Sequence, residues 1–259
     1  MKGVLLENLT WVQSVEAFKE YQIAVIPVGG ATKEHGPHLP NCVDFALAEE
    51  FKRRVAEKAR VIMLPTVPYA YYPAFVDWPG SVSIKPETFA HYVMDIVRSI
   101  ARHGIKKFVI INMGISTTGP LDFAARELTE ELGVRVAITA GLGRRVISQL
   151  RQEEAGTHAG EYETSLMLVI RPEMVDMTRA VKELPPRPRG SETGTRTPPA
   201  VNLVGKMSRH TARGPFTATG VSGDATLATR EKGDKFLEAM EKDLLAFLED
   251  FERLPVECH

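Results

Sequence analysis

The 259-residue chain carries 32 basic residues (Lys and Arg) against 33 acidic residues, so its net charge is −1. With 44% hydrophobic residues it is too apolar for a disordered protein, and its balanced charge excludes the basic surface that holds nucleic acid or an acidic membrane. Two cysteines, Cys42 and Cys258, cannot form a disulfide scaffold and are typical of a reducing compartment. The sequence shows neither a signal peptide nor an apolar run approaching the ~18 residues of a membrane span, which predicts a cytoplasmic enzyme or binding protein.

Strands and helices alternate along the chain. Residues 23–28 (IAVIPV) form a short apolar run that ends at a Gly-Gly pair, which is typical of a buried strand. The further elements predicted, in chain order, are a helix at 44–59, a strand at 61–67, a helix at 86–102, a strand at 108–114, a helix at 120–132, a strand at 134–139 and helices at 160–170 and 231–251. This alternation predicts an α/β fold with a mainly parallel sheet covered by helices on both faces. No break in composition indicates a second domain, so residues 1–259 are expected to form one.

The loop after the strand at 23–28 carries the main chemical signal. Its polar side chains are Lys33, Glu34, His35, His38 and Asp44. Loops at the carboxyl ends of parallel strands form ligand crevices, and imidazoles and carboxylates are ligands for zinc, manganese and iron, so the pattern favours a metal site. Two alternatives stay open from the residues alone. Asp44 is also suited to cap the next helix beside hydrogen-bonded histidines, and a phosphate loop is the weaker option because neither a Walker pattern nor G-x-G-x-x-G is present.

A second polar group stands at the head of the helix predicted at 160–170. His158, Glu161 and Glu163 lie at the start of an otherwise apolar run. Carboxylates near a helix N-terminus interact favourably with the helix dipole, and a histidine there is suited to a capping role. The stretch by itself therefore leaves a structural and a chemical interpretation open.

Two longer stretches also have two interpretations each. The aromatic stretch at residues 69–78 is expected either to line a pocket entrance or to pack in an oligomer contact. The Pro- and Arg-rich stretch at about 184–200 has no hydrophobic period and predicts a long loop. That loop is expected to be a mobile surface connection, or else a lid or subunit contact.

The polar stretches resemble the creatininase (creatinine amidohydrolase) family. Residues 34–40, Glu-His-Gly-Pro-His-Leu-Pro, are similar to its first signature and residues 158–165, His-Ala-Gly-Glu-Tyr-Glu-Thr-Ser, to its second; residues 78–83 and 220–229 also match. The resemblance implies a three-layer α/β/α sandwich, often assembled as a homo-oligomer. It also implies a metal-dependent amidohydrolase that uses one or two zinc or manganese ions to activate water and hydrolyses a C–N bond of a small amide, cyclic amide or formamide.

The resemblance also implies roles for individual residues. His35 matches a histidine ligand of the metal, Asp44 matches the aspartate that bridges two ions, and Glu163 matches an acidic residue that is a ligand or supports one. His158 matches a histidine used in proton transfer, which here would protonate the leaving nitrogen. Glu34 is the further candidate ligand.

Two departures from the family pattern bear on the metal. Lys33 holds the place of the family's glutamate ligand, so that either Glu34 reaches the metal through a bulged loop or Lys33 has displaced one ion. Lys33 is itself expected to stabilise the oxyanion or to bind a substrate carboxylate. Gly114 stands where the family has the histidine of Asn-Gly-His-Gly-Gly-Asn. Because this imidazole is missing, a second function stays open, that of a metal-poor family member that binds a ligand without hydrolysing it.

Overall fold

A five-stranded sheet forms the centre of the computed structural model, which describes residues 1–154, 156, 158–184 and 217–255. Its strands are β1 (Val4–Leu5), β2 (Ile23–Val28), β3 (Ile62–Met63), β4 (Lys107–Asn112) and β5 (Arg135–Ile138). Every neighbouring pair is parallel, in the order β1-β3-β2-β4-β5. Two short strands, β6 (Lys182–Glu183) and β7 (Gly223–Asp224), form a separate antiparallel pair.

Helices cover both faces of this sheet. The α-helices of the described chain are α1 (Trp11–Glu20), α2 (Val43–Lys58), α3 (Pro86–Ala101), α4 (Thr118–Leu132), α5 (Arg144–Leu150), α6 (Glu161–Ile170) and α7 (Arg230–Arg253). Side chains alternate along a strand, so Ile23 and Val25 of β2 face one side while Ala24 and Ile26 face the other. The first side packs against α2, α6 and α7, and the second against α1, α3 and α4. The predicted three-layer α/β/α sandwich with a parallel sheet is confirmed.

No helix in the described part of the chain has the length and apolar character that a membrane span requires.

The predicted elements are present with one shortened strand. The strand predicted at 61–67 is reduced to β3, because Pro65 has no N–H to donate, and Val67 rejoins β2 only through an isolated bridge to Val28. The sequence-based prediction missed β1, β6, β7, α1 and α5. The predicted loop at about 184–200 lies, from residue 185 onward, outside the described residues.

The order of the strands places a crevice above β2. The chain leaves β2 towards β3 on one side and returns to β4 on the other, so the connections diverge at the carboxyl ends of β2 and β4. In parallel α/β sheets this divergence is where ligands bind. The polar loop follows β2 at this edge, and Met113 and Gly114 follow β4 beside it.

Candidate functional site

The polar loop after β2 is held in place by backbone contacts to neighbouring segments. The N–H of Lys33 donates to the carbonyl of Asn41 across the loop, at 2.9 Å. The N–H of Glu34 donates to Ser81 Oγ, also at 2.9 Å, and the N–H of Val82 donates to the carbonyl of Thr32. The family-like stretch at 78–83 therefore serves to fix the loop. Its role was not predicted from the sequence.

Asp44 faces into the loop from the first turn of α2 and does not cap that helix. The N-cap residue is Cys42, which makes no side-chain capping bond. The Asp44 side chain is 1% exposed; its Oδ2 lies 2.7 Å from Lys33 Nζ and its Oδ1 lies 3.2 Å from His35 Nε2. Burial raises the pKa of Asp44, but the charge of Lys33 opposes this effect and holds the pKa well below its usual value. The carboxylate is therefore ionised.

Both ring nitrogens of His35 face oxygen acceptors. Nδ1 lies 2.8 Å from the carbonyl oxygen of Lys33, and Nε2 lies 3.2 Å from Asp44 Oδ1. Burial lowers the pKa of His35 and the charge of Lys33 acts in the same direction, while Asp44 opposes them. A neutral imidazole has one N–H and satisfies only one of the two acceptors. When Nδ1 donates to the carbonyl, the lone pair of Nε2 is directed at a carboxylate, an arrangement suited to a cation.

His158 stands just before α6, where a short bridge fixes its backbone. Its N–H and carbonyl pair with those of Ser222. On the side chain, Nε2 lies 2.7 Å from the carbonyl oxygen of Glu34 and 3.2 Å from Glu34 Oε2, while Nδ1 lies 3.8 Å from Glu163 Oε2. Ala159 adopts a left-handed backbone with φ of 51°, rare for a residue with a side chain, and its N–H donates to Glu163 Oε2. This turn directs His158 and Glu163 at each other.

Three of these side chains converge on one point. Among the described residues, His35, His158 and Glu163 each offer a ligand atom, and the three atoms all lie within 4.8 Å of one another. The two imidazole rings lie 4.6 Å apart between centroids. Asp44 borders this triad at His35, and Glu34 borders it at His158. The structure thus brings together every residue that the sequence proposed for the site, with His158 among the potential ligands.

Glu34 is fixed by contacts to its carboxylate. Its Oε1 accepts from the N–H of Gly36 and its Oε2 faces His158. Burial raises the pKa of Glu34, but the hydrogen bonds from His158 and Gly36 outweigh it and leave the pKa below its usual value. Gly220, with φ of +83°, packs directly against this carboxylate, and a Cβ there would collide with it. The family-like stretch at 220–229 therefore supports Glu34.

His38 has a supporting position in the described site. The side chain is 2% exposed and Nε2 lies 2.8 Å from Thr164 Oγ1 on α6. Burial lowers the pKa of His38 to about 4, so that the ring is neutral at neutral pH. Its contact ties the loop after β2 to α6.

An aromatic wall closes the site on the side of β4. Tyr72 and Phe75, from the aromatic stretch, each place a ring centroid 5.1 Å from Lys33 Nζ. Phe75 also packs against His158, with ring centroids 4.4 Å apart. This part of the stretch lines the site, whereas Tyr69 is 46% exposed. The contact of Tyr72 was not predicted, because nothing in the local pattern marks one tyrosine of three.

The packing around Gly114 leaves no room for the histidine that the family has at this position. A Cβ at Gly114 would lie 3.1 Å from Tyr72 Cε1 and 2.7 Å from Thr117 Oγ1. The Tyr72 ring is 1% exposed and fills this space, so a larger side chain at position 114 has no room without movement of the ring. Thr117, whose hydroxyl donates to Asn112 Oδ1 at 2.6 Å, stabilises the turn after β4 and does not replace the imidazole.

A cavity of about 470 Å³ begins beside Gly114. It lies at the carboxyl ends of β4 and β5, and its lining combines apolar and polar side chains, including Met113, Ile115, Thr139 and Arg144. A cavity of about 640 Å³ near Ile23 and Val61 lies at the amino end of the sheet, and no histidine lines it. No histidine lines the cavity beside Gly114 either, but this cavity adjoins the site, because Gly114 packs against Tyr72 and Tyr162 precedes Glu163 on α6.

Two characterised proteins are similar to this chain over most of its length. The chain is 31% identical over 264 residues to creatinine amidohydrolase of Pseudomonas putida, covering 92% of this chain and 93% of the relative. It is 27% identical over 270 residues to 3-dehydro-scyllo-inosose hydrolase of Thermotoga maritima, covering 98% of this chain and 85% of that protein. Both relatives are hydrolases.

A solved structure and a family model are similar to this chain over most of its length. A manganese form of creatininase superposes with a TM-score of 0.76 at 27% identity, covering 96% of this chain and 99% of that one. The family model described as creatinine amidohydrolase matches residues 7–248. The resemblance drawn from the two signatures is confirmed, and the chain belongs to the creatininase family.

Proposed function

We propose that this chain is a metal-dependent amidohydrolase that cleaves a C–N bond of a small amide, cyclic amide or formamide. The observation that carries the proposal is the convergence of His35, His158 and Glu163 at the carboxyl end of the parallel sheet. Two imidazoles and a carboxylate are a ligand set for zinc or manganese. The family relationship to an amidohydrolase supports the reaction class.

The residues of the site fit a divalent ion. The lone pair on His35 Nε2, the Nδ1 side of His158 and the Glu163 carboxylate are its proposed ligands, with Asp44 Oδ1 beside His35. The second nitrogen of each histidine contacts a backbone carbonyl, that of Lys33 or of Glu34, and such contacts orient metal-binding imidazoles. A divalent ion held there supplies Lewis-acid activation of water and of a substrate carbonyl.

The chain's own groups would move protons and stabilise charge. Glu34 is ionised and borders His158, so in this proposal it accepts the proton of the attacking water. Water adds to the carbonyl carbon, the C–N bond breaks, and that proton goes to the leaving nitrogen. Lys33 holds a positive charge beside the oxyanion that forms on the carbonyl. The proton-transfer role predicted for His158 is the alternative to its role as a ligand.

The substrate class is proposed from the cavity and the relatives. A cavity of about 470 Å³ suits a small molecule, and exposed Arg144 at its wall suits an anionic group. Of the two named relatives, the one that is 31% identical is a creatinine amidohydrolase. Cyclic amides are therefore the first substrates to assay, followed by formamides and short modified peptides.

Metal content of purified protein tests the proposal. We expect bound zinc or manganese by inductively coupled plasma mass spectrometry, and its loss in His35→Ala. His91→Ala is the matched control, because His91 is an exposed histidine on α3. Equal and negligible metal in all three proteins would contradict the metal site. Turnover of cyclic amides by the wild type, with none in His35→Ala, would support the reaction.

A non-hydrolytic ligand-binding protein is the second candidate. The pairing of Lys33 with Asp44, together with the absence of an imidazole at Gly114, favours it. On this alternative the protein holds less than one metal ion per chain and binds cyclic amides without converting them. Metal stoichiometry measured together with turnover distinguishes the two functions.

A further inference from the structure

Lys33 is an enclosed cation inside the site. It is 5% exposed, and its Nζ lies 2.7 Å from Asp44 Oδ2. The rings of Tyr72 and Phe75 each lie 5.1 Å from the same nitrogen, measured to the centroid. A carboxylate and two aromatic faces are surroundings that favour a positive charge. The ammonium is thus part of the permanent charge of the site.

The carboxylate of Asp44 is divided between two neighbours. Oδ2 is paired with Lys33, whereas Oδ1 faces His35 Nε2 at 3.2 Å. A carboxylate that bridges two metal ions offers one oxygen to each. Here one oxygen is already neutralised by the ammonium, which leaves a single oxygen for an ion beside His35.

Among the described residues, His, Cys, Asp and Glu side chains form no second group that could hold an ion besides His35, His158 and Glu163. Beside Lys33, the Tyr72 ring lies 5.1 Å from Nζ, and Gly114 has no side chain, since a Cβ there would lie 3.1 Å from that ring. The other potential ligands, His158 and Glu163, group with His35, which faces Asp44 Oδ1. The ligand set is therefore sufficient for one ion and not for two.

We propose that Lys33 is a built-in second cation, which occupies the place of a second divalent ion on Asp44 and limits the chain to one ion. The proposal rests on the proposed function, since it concerns the same metal site. Because like charges repel at short range, the ammonium also weakens binding of the single ion. Replacing Lys33 by a neutral residue of similar length removes that repulsion and frees Asp44 Oδ2.

Two measurements on the full-length protein test this. The first is the number of ions per chain, by mass spectrometry after dialysis against excess Zn²⁺ or Mn²⁺ and removal of unbound metal. The second is the dissociation constant, by competition with a chromophoric chelator, for wild type, Lys33→Met and Lys52→Met. Lys52 is a matched control, since it is 8% exposed and pairs with Glu7 and Glu49 away from the site.

We expect one ion per wild-type chain, and binding at least about tenfold tighter in Lys33→Met, while Lys52→Met binds as the wild type does. Two ions on the wild type would overturn the proposal, as would equal affinities of wild type and Lys33→Met. If Lys33→Met does not fold, Lys33→Gln takes its place, and the wild-type stoichiometry stands in any case. Absence of metal from wild type and Lys33→Met alike would instead refute the metal site itself.

Discussion

Asp44→Asn separates the two tasks of this carboxylate, which are to balance Lys33 and to complete the metal site. The substitution keeps the shape of the side chain but removes its charge. Lys33, 5% exposed, then lacks the carboxylate that lies 2.7 Å away in the wild type. We expect the variant to be less stable and to bind divalent ions more weakly.

The size of the stability loss follows from burial. The two side chains are 7% and 1% exposed, so this is a buried ion pair, and removing one partner leaves an uncompensated charge. Breaking such a pair costs about 3–5 kcal/mol. At the lower figure, Tm falls by roughly 6–12 °C for a chain of this size. In Asp44→Asn/Lys33→Met the unpaired charge is gone, so most of the stability is expected to return while metal binding stays weak.

Urea unfolding of the metal-free proteins in EDTA measures these effects, followed by circular dichroism. Glu16→Gln is the control, because its partner Lys19 is 67% exposed and a surface pair of this kind contributes below about 1 kcal/mol. A loss of less than about 1 kcal/mol in Asp44→Asn, or a double variant no more stable than Asp44→Asn, would refute the assignment of Lys33 as a buried charge balanced by Asp44.

Three further variants test other parts of the site and the fold. His158→Gln is expected to weaken divalent-ion binding more than about tenfold if His158 is a ligand; unchanged affinity with a lower kcat would return it to proton transfer. Gly220→Ala is expected to displace Glu34 and lower Tm, and an unchanged Tm with full turnover would contradict that contact. In Glu241→Gln, loss of the contacts to Arg54 and Lys58 is expected to lower the unfolding free energy by about 1–3 kcal/mol at pH 7. These contacts hold the pKa of Glu241 below its usual value, so Glu241 contributes fully to stability above that usual value. This contribution disappears as the pH falls through the lowered pKa. The stability of Glu241→Gln is therefore expected to change less than that of the wild type between pH 7 and pH 3.

The alternation of apolar runs and amphipathic segments was sufficient to predict the sandwich. Long elements with a clear period, such as β2 and α3, were placed within a residue or two. The two-residue strand β1 has too little pattern to detect, since its pairing with β3 depends on distant residues. The helix α1 did carry a local signal, because Thr10 and Gln13 form a capping box that marks its start.

The residues of the candidate site could be proposed from the sequence, but their arrangement could not. The signatures identified Lys33, His35, Asp44 and Glu163, but the pairing of Lys33 with Asp44 depends on how the loop folds back on α2. The contact of Tyr72 with Lys33 depends on a segment about 40 residues further along the chain and on the packing beside Gly114. Neither contact can be predicted from the residues that are adjacent in the sequence. The homo-oligomer and the cytoplasmic location stay predictions.

The short bridge between His158 and Ser222 has a consequence for how the protein matures. The potential ligands come from two places, the loop after β2 and the head of α6, and the segment before β7 fixes His158 through this bridge. A chain still emerging from the ribosome can close the Lys33–Asp44 pair early, since both residues belong to one loop and its following helix. The triad is complete only after contacts between distant segments form, which is slow relative to local structure. Metal binding is therefore expected only once folding is complete. A fragment that stops before residue 158 would contain Lys33 but, of the three ligands, only His35.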